Sequence, residues 1–273
     1  MNVSTRDGPP DQALKVLYSD VDGTLLGPGG SLFAAARGYS TGEAATALLG
    51  LRRAGVELVL MSGRTRRGLH EVARVVGASA YIAELGGLLT VGAEEPIEDT
   101  GAFAGPGRLP DALARSGVPG LLLERFRGRL EPVAPWTEVS VMFQGLVDVA
   151  EAEAVLEEVG FGWLQFQDNG RLRRLLPHLD VPEVRAYHLL PRGVSKASAV
   201  RRHREIRSVP LEATAAIGDS LADLQVADVV GRFFLVANGL GAIADAPLPS
   251  NAVVTDAPHG DGFAEAVRSL LGR

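Results

Sequence analysis

Val16-Leu17-Tyr18-Ser19-Asp20-Val21-Asp22-Gly23-Thr24 decides the reading of this chain. The apolar run at its start reads as a short buried strand, and the strand passes without a linker into two acids and a glycine turn. Asp20 and Asp22 are thereby expected at the carboxyl end of a strand. Two acids this close resist joint ionisation unless a cation stands between them, so the pair points to carboxylate chemistry around a metal.

Moving outward, strand-like runs at Val56–Met61 and Tyr81–Ala83 alternate with helical stretches, which predicts a parallel α/β sheet. The helix before the second strand opens with Ser40 and Glu43 in capping-box spacing, carries Ala45, Leu48, Leu49 and Leu51, and stops at Gly55. After Glu84 the texture changes to Gly86-Gly87, a Gly/Pro-rich stretch from Gly101 to Pro110, and shorter segments of mixed spacing. Within this insertion Val139, Val141 and Phe143 alternate as in a half-buried strand, and Val149–Val159 is helical. Trp163–Gln167 and Leu172–Leu176 flank Asp168-Asn169-Gly170 as a hairpin. The α/β alternation resumes after Leu190, with a helix from Ser195, strands at Ala215–Ile217, Phe233–Val236 and Ala252–Val254, and a closing helix over Phe263–Leu271. The expected fold class is α/β: a Rossmann-like parallel-sheet core with helices on both faces, interrupted by a smaller α/β unit. The expected division is a disordered 1–13, a core of 14–85 and 191–273, and an inserted unit of 86–190.

Composition narrows the function classes. The chain has 273 residues, 46% hydrophobic, with a net charge of −6, which suits a large core and implies no nucleic-acid partner. It has no cysteine, so disulfides, zinc–thiolate sites and a thiol nucleophile are excluded. No signal peptide or membrane-length apolar run is seen, and a cytoplasmic location is expected. Of the 27 basic residues only Lys15 and Lys196 are lysines. In so arginine-rich a chain, an ammonium point charge is a chemical choice to be explained.

Open parallel sheets gather ligands at the carboxyl ends of their strands. The polar residues expected there are Asp20 and Asp22 after the first strand and Ser62-Gly63-Arg64 after the second. Lys196 opens a later helix, and Asp219 with Asp223 follows Ala215–Ile217. Phosphoryl transfer needs a nucleophile, a cation, donors for the phosphate oxygens and a proton source. Asp20 can attack as a carboxylate if a cation and Lys196 screen it from the substrate's charge. Asp219, with Asp20 and a backbone carbonyl, offers the oxygen ligands that magnesium prefers. Asp22 can protonate the leaving oxygen. Ser62 and the Gly63 amide can donate to a phosphate near the start of the helix that begins near Thr65.

These motifs resemble those of the haloacid dehalogenase superfamily of phosphotransferases. Asp20-Val21-Asp22-Gly23-Thr24 is similar to its first motif, the Ser62 turn to its second, Lys196 to its third, and Gly218-Asp219-Ser220-Leu221-Ala222-Asp223 to its fourth, all in the family's order. The insertion lies between the second and third motifs, where the type IIB branch carries its cap. The resemblance implies Asp20 as nucleophile, Asp22 as general acid and base, and Lys196 as a catalytic and phosphate contact. Thr24, Ser62 and Gly63 would complete the phosphate shell, and Mg2+ would be held among Asp20, Asp22, Asp219 and Asp223. Two positions depart from the pattern: Ala222 stands where many relatives have Asn, and Glu84-Leu85-Gly86 replaces Glu-Asn-Gly.

Further candidate substrate contacts are Arg64, Asn238 and the cap arginines Arg171 and Arg174, with Arg173 and His178 nearby. His70, His188, His203 and His259 show no ligand spacing and read as ordinary residues. Trp163 is expected in a core, and Trp136 is a candidate to stack on a sugar ring. The expected function is a magnesium-dependent phosphomonoesterase. Its partner is a small phosphorylated metabolite, in the resembled branch a sugar phosphate or phosphorylated glycosyl compound. The competing readings are a phosphosugar mutase and a non-catalytic phosphate-binding or regulatory protein.

Overall fold

The computed structural model describes residues 13–35, 38–133, 137–172, 174, 176–243 and 246–272. The expectations for residues 1–12, for Trp136 and for Arg173 lie outside the described residues.

The larger sheet has eight strands: β1 (Val16–Asp20), β2 (Glu57–Met61), β3 (Ala80–Ala83), β4 (Leu88–Val91), β5 (Ile97–Glu98), and, after the insertion, β10 (Thr214–Gly218), β11 (Arg232–Leu235) and β12 (Ala252–Val254). Their order across the sheet is β12-β11-β10-β1-β2-β3-β4-β5. The pairings from β12 to β3 are parallel, and β4 and β5 add on antiparallel. β1 is therefore central, flanked by β10 and β2, and its five residues are all buried. Alternation sends Leu17 into one layer, with α1 (Glu43–Arg53), α2 (Arg66–Val76) and α7 (His259–Leu270), and Val16 and Tyr18 into the other, with α6 (Lys196–Arg207). A strand buried on both faces is apolar throughout, as Val16-Leu17-Tyr18 is.

The smaller sheet is antiparallel, in the order β6 (Leu130–Pro132), β7 (Val141–Gly145), β9 (Val184–Pro191), β8 (Leu164–Leu172). Phe143, Phe166, Tyr187 and Leu189 share one of its faces with apolar residues of α3 (Leu109–Ser116), α4 (Val118–Arg125) and α5 (Val149–Glu158). Trp163 packs against Phe103 and Phe161, with ring centroids 5.5 and 6.3 Å apart.

Three local expectations are corrected. β4 and β5 belong to the larger sheet, so the expected division at 86 falls inside that sheet: the chain turns back at Gly86-Gly87 to pair Ala83 with Leu88 before it leaves. The hairpin at Asp168-Asn169-Gly170 is instead a bulge in one long strand, β8, whose partner is β9; the register shifts between Asp168 and Arg171. The capping box at Ser40 and Glu43 does not form. Gly42 caps α1, Ser40 bridges to Ala34, the Thr41 hydroxyl takes the Glu43 amide, and the Glu43 carboxylate meets Arg268.

Candidate active site

β1 delivers Asp20 to the sheet edge almost fully buried, and α6 presents Lys196 from its first turn, where Ser195 and Ser198 close a capping box. Lys196 Nζ donates to Asp20 Oδ1 and to Asp223 Oδ1, both at 2.7 Å. The second oxygen of Asp223 accepts from the Asp219 amide, the Ser220 amide and the Ser220 hydroxyl, at 3.2, 3.1 and 2.6 Å. Asp223 is thus wholly committed. Asp20 Oδ2, by contrast, is buried with no hydrogen-bond partner among the described residues.

Asp20, Asp219 and Asp223 each place a carboxylate oxygen within 4.8 Å of the others. One ammonium cannot neutralise three such groups. Burial pushes the Asp20 carboxyl well above the usual carboxylate range, against the pull of Lys196, and the neighbouring Asp223 and Asp219 add to the rise. Burial, and then Asp223, push Asp219 up to about 7. A crowded, desolvated, all-oxygen set with one oxygen left over fits a hard divalent cation such as magnesium. Asp20 and Asp219 have the freer oxygens; Asp223 fits as a more distant support.

The Asp22 carboxylate stands outside this cluster, which corrects its place among the metal ligands. Arg64 takes both of its oxygens, Nε to Oδ2 at 2.7 Å and Nη2 to Oδ1 at 2.6 Å. The charge that was expected to need a metal is met by a guanidinium from the neighbouring strand's turn. Arg64, expected at the substrate, is in this arrangement engaged with Asp22. Ser62 is buried at the end of β2, and its hydroxyl accepts the Arg64 amide at 3.1 Å, which leaves its own proton free to donate. Thr24 is also buried, but its hydroxyl donates to Asp219 Oδ1 at 3.4 Å.

Asn238 serves the metal side of the site. Its amide nitrogen donates at 3.0 Å to the Gly23 carbonyl and to Asp219 Oδ2, and its oxygen accepts the His259 amide at 2.8 Å. His259 Nδ1 donates to the same Gly23 carbonyl at 2.9 Å. No spacing rule marks His259, because its role comes from a chain reversal that returns it to the first motif. Gly23 is required here: its φ is +92°, and a Cβ would lie 2.2 Å from Asp219 Oδ2.

The insertion reaches the site at Gly63 and Glu84, through contacts that the sequence pattern does not reveal. A Cβ on Gly63 would lie 2.0 Å from Asn169 Nδ2, so the β8 bulge rests on the phosphate turn. Glu84 is buried at the end of β3 and accepts the Glu138 and Val139 amides and the Ser140 hydroxyl, at 2.8, 3.1 and 2.8 Å. It does so from a left-handed backbone, as does Leu85, with φ +49° and +57°. The cap arginines do not join the cluster: Arg171 pairs with Glu183 at 3.2 Å, and Arg174 donates to Gln144.

A model of the haloacid dehalogenase-like hydrolases matches residues 183–267. The phosphoglycolate phosphatase of Pyrobaculum aerophilum is 30% identical over 263 residues, covering 95% of this chain and 96% of that protein. The chain belongs to the haloacid dehalogenase-like hydrolases. The phosphoglycolate phosphatase of Methanoculleus marisnigri is also 30% identical, over 93% of this chain and 96% of its own length. Among solved structures, the sucrose-phosphatase of Synechocystis superposes with a TM-score of 0.67 at 18% identity, covering 95% of this chain and 98% of that one. This haloacid dehalogenase-like hydrolase is of the type IIB branch, with its antiparallel cap sheet between the second and third motifs, and it is a phosphatase of that superfamily. Among the described residues no helix is long and apolar enough to cross a membrane.

Proposed function

We propose that the protein is a magnesium-dependent phosphomonoesterase that works through an aspartyl-phosphate on Asp20. One observation carries this: a buried carboxylate with one oxygen on Lys196 and the other unpartnered, within 4.8 Å of two further acids. In the first step an Asp20 carboxylate oxygen forms a bond to phosphorus, the ester P–O bond breaks, and the leaving oxygen takes a proton from Asp22. In the second, Asp22 takes a proton from water as that water attacks phosphorus, releasing inorganic phosphate and restoring Asp20.

Asp22 enters this cycle only when its pair with Arg64 opens, and an arriving phosphate is the anion that can take over the guanidinium. Ser62 and the Gly63 amide donate to the phosphate oxygens, while Lys196 fixes Asp20 and opposes the gathering negative charge. Asp20 and Asp219 would hold magnesium, with Asp223 in support, and the bound cation would supply the remaining positive charge.

The substrate is a small phosphorylated metabolite. The sequence reading favours a sugar phosphate or phosphorylated glycosyl compound; the names of the curated relatives make phosphoglycolate the competitor. The test is inorganic phosphate release from a panel holding both, with and without magnesium. Turnover that needs magnesium and vanishes in Asp20→Asn supports the proposal. An Asp20→Asn protein with parental turnover would refute it.

A further inference from the structure

The turn Glu84-Leu85-Gly86 backs onto the site from three sides. Towards β2 it holds the phosphate turn: the Glu84 amide donates to the Arg64 carbonyl at 3.0 Å and the Leu85 amide to the Ser62 carbonyl at 3.1 Å. A peptide unit is planar, so the bond that fixes the Ser62 carbonyl also fixes the direction of the Gly63 N–H, on the opposite edge of the same plane. That N–H is the one expected to donate to phosphate. Towards α6 the turn abuts the helix start that carries Lys196: a Cβ on Gly86 would lie 2.0 Å from the Ser195 carbonyl oxygen and 3.0 Å from the Lys196 amide nitrogen.

The third side faces the cap. Glu84 has no exposure, and its carboxylate accepts the Glu138 and Val139 amides and the Ser140 hydroxyl. Three converging donors match an ionised carboxylate, which only accepts. The strap 137–140 is held down beside this clasp as well: Arg66, in the first turn of α2, donates to the Glu138 carboxylate at 2.7 Å, and a Cβ on Gly87 would lie 2.2 Å from Val139 Cγ2. Leu85 is buried with Leu190 and Val194, where the chain returns from the cap.

Glu84 and Leu85 both have left-handed backbone, and neither is glycine or asparagine, the residues that take this form readily. Such a conformation persists only where its surroundings over-determine it. The cap supplies that constraint. With the strap lifted, Glu84 is left as an enclosed carboxylate without donors, and the turn is released to relax and carry its two amides off the Ser62 and Arg64 carbonyls.

We infer that Glu84 is a positioning residue: by clasping the cap strap it holds its own turn in the form that aims the Gly63 amide, so that seating of the cap and affinity for phosphate are coupled. This rests on the phosphomonoesterase reading and adds a residue that acts on the phosphate through another.

The experiment measures inorganic phosphate as a competitive inhibitor, together with kcat, KM and Tm, on the parent, Glu84→Gln, Ser140→Ala and Val155→Ala. Gln keeps the shape of Glu84 but offers one acceptor oxygen to three donors. Ser140→Ala removes one donor from the cap's side of the clasp. Val155→Ala thins the cap's apolar layer, which Phe143 and Phe166 share, and controls for lost stability alone. The phosphate Ki and KM are expected to rise together, roughly tenfold in Glu84→Gln and about threefold in Ser140→Ala, with kcat changed less. Val155→Ala is expected to keep the parental Ki while its Tm falls. A parental Ki in folded Glu84→Gln, or a Ki that rises equally in Val155→Ala, overturns the inference, while continued phosphate release leaves the phosphatase reading standing. A parent that releases phosphate from no ester overturns both. If Glu84→Gln does not fold, Ser140→Ala decides alone.

Discussion

Asp22 and Arg64 meet as a two-pronged pair, with contacts of 2.6 and 2.7 Å between a residue of the first motif and one of the second. The Arg64 side chain is 33% exposed and that of Asp22 50%, so solvent screens the attraction and the pair adds less than about 1 kcal/mol to stability. Its consequence lies in the reaction, where Asp22 must leave Arg64 and the guanidinium must find the phosphate. Arg64→Gln is therefore expected to move the unfolding free energy by under about 1 kcal/mol while raising KM roughly tenfold, the loss of a charge-assisted contact. Denaturant titration and steady-state kinetics on one preparation decide it. A large stability loss with unchanged kinetics would make the pair structural.

Lys196 presents the opposite balance, since it is buried and its ammonium faces two buried carboxylates at 2.7 Å. Lys196→Met leaves those charges unmatched, and breaking a buried pair from one side costs about 3–5 kcal/mol. The loss depends on pH. The Asp20 pKa already stands above the unfolded value, and removing the nearest positive charge raises it further. A carboxyl with a raised folded pKa contributes stability that is present below the unfolded pKa and lost as pH rises. The deficit of Lys196→Met against the parent, measured with chelator present, should be larger at pH 8 than at pH 5. An equal deficit at both would mean that electrostatics is not the cause. Turnover should fall by several orders of magnitude, since the same ammonium holds the proposed nucleophile.

Asp219 makes the metal-free protein sensitive to pH in its own right. Its folded pKa of about 7 lies above the unfolded value, so its share of stability is full below about pH 4 and drains away towards pH 7. The slope has a ceiling of about 1.4 kcal/mol per pH unit for a single group. A cation must displace that proton. The rise in Tm on adding magnesium is therefore expected to be greater at pH 8 than at pH 5, and to shrink sharply in Asp219→Asn. A magnesium increment indifferent to pH would remove Asp219 from the ligand set.

The sheet core was legible because its signals are local: Val16-Leu17-Tyr18 and Ala215–Ile217 are apolar on both alternations, and each is followed by an acid one residue further on. The convergence of Asp20, Lys196, Asp219 and Asp223 followed from one topological rule about strand ends. The illegible parts turn on relations between distant segments. Nothing near Asp22 announces that Arg64 will take its charge, and nothing near His259 says that it returns to the Gly23 carbonyl. Asp168-Asn169-Gly170 has the composition of a turn, yet the pairing of β8 with β9 absorbs those residues as a bulge.

Asn169 of the smaller sheet meets Gly63 in the phosphate turn, and their spacing can be tested directly. A Cβ at position 63 would stand 2.0 Å from Asn169 Nδ2 and 2.4 Å from its Cγ, well inside contact distance. The obstacle is the end of a movable side chain, so Gly63→Ala is expected to fold, with Asn169 driven off the turn at a cost of about 1–3 kcal/mol. The same shift moves the amide expected to donate to phosphate and should lower kcat/KM. Asn169→Ala vacates the space, so the double variant should regain most of the stability lost by Gly63→Ala. Residues in contact couple and distant ones add, so a double-mutant cycle from urea unfolding reads the contact directly. Strict additivity would place Asn169 away from Gly63 in solution and open the site beneath it.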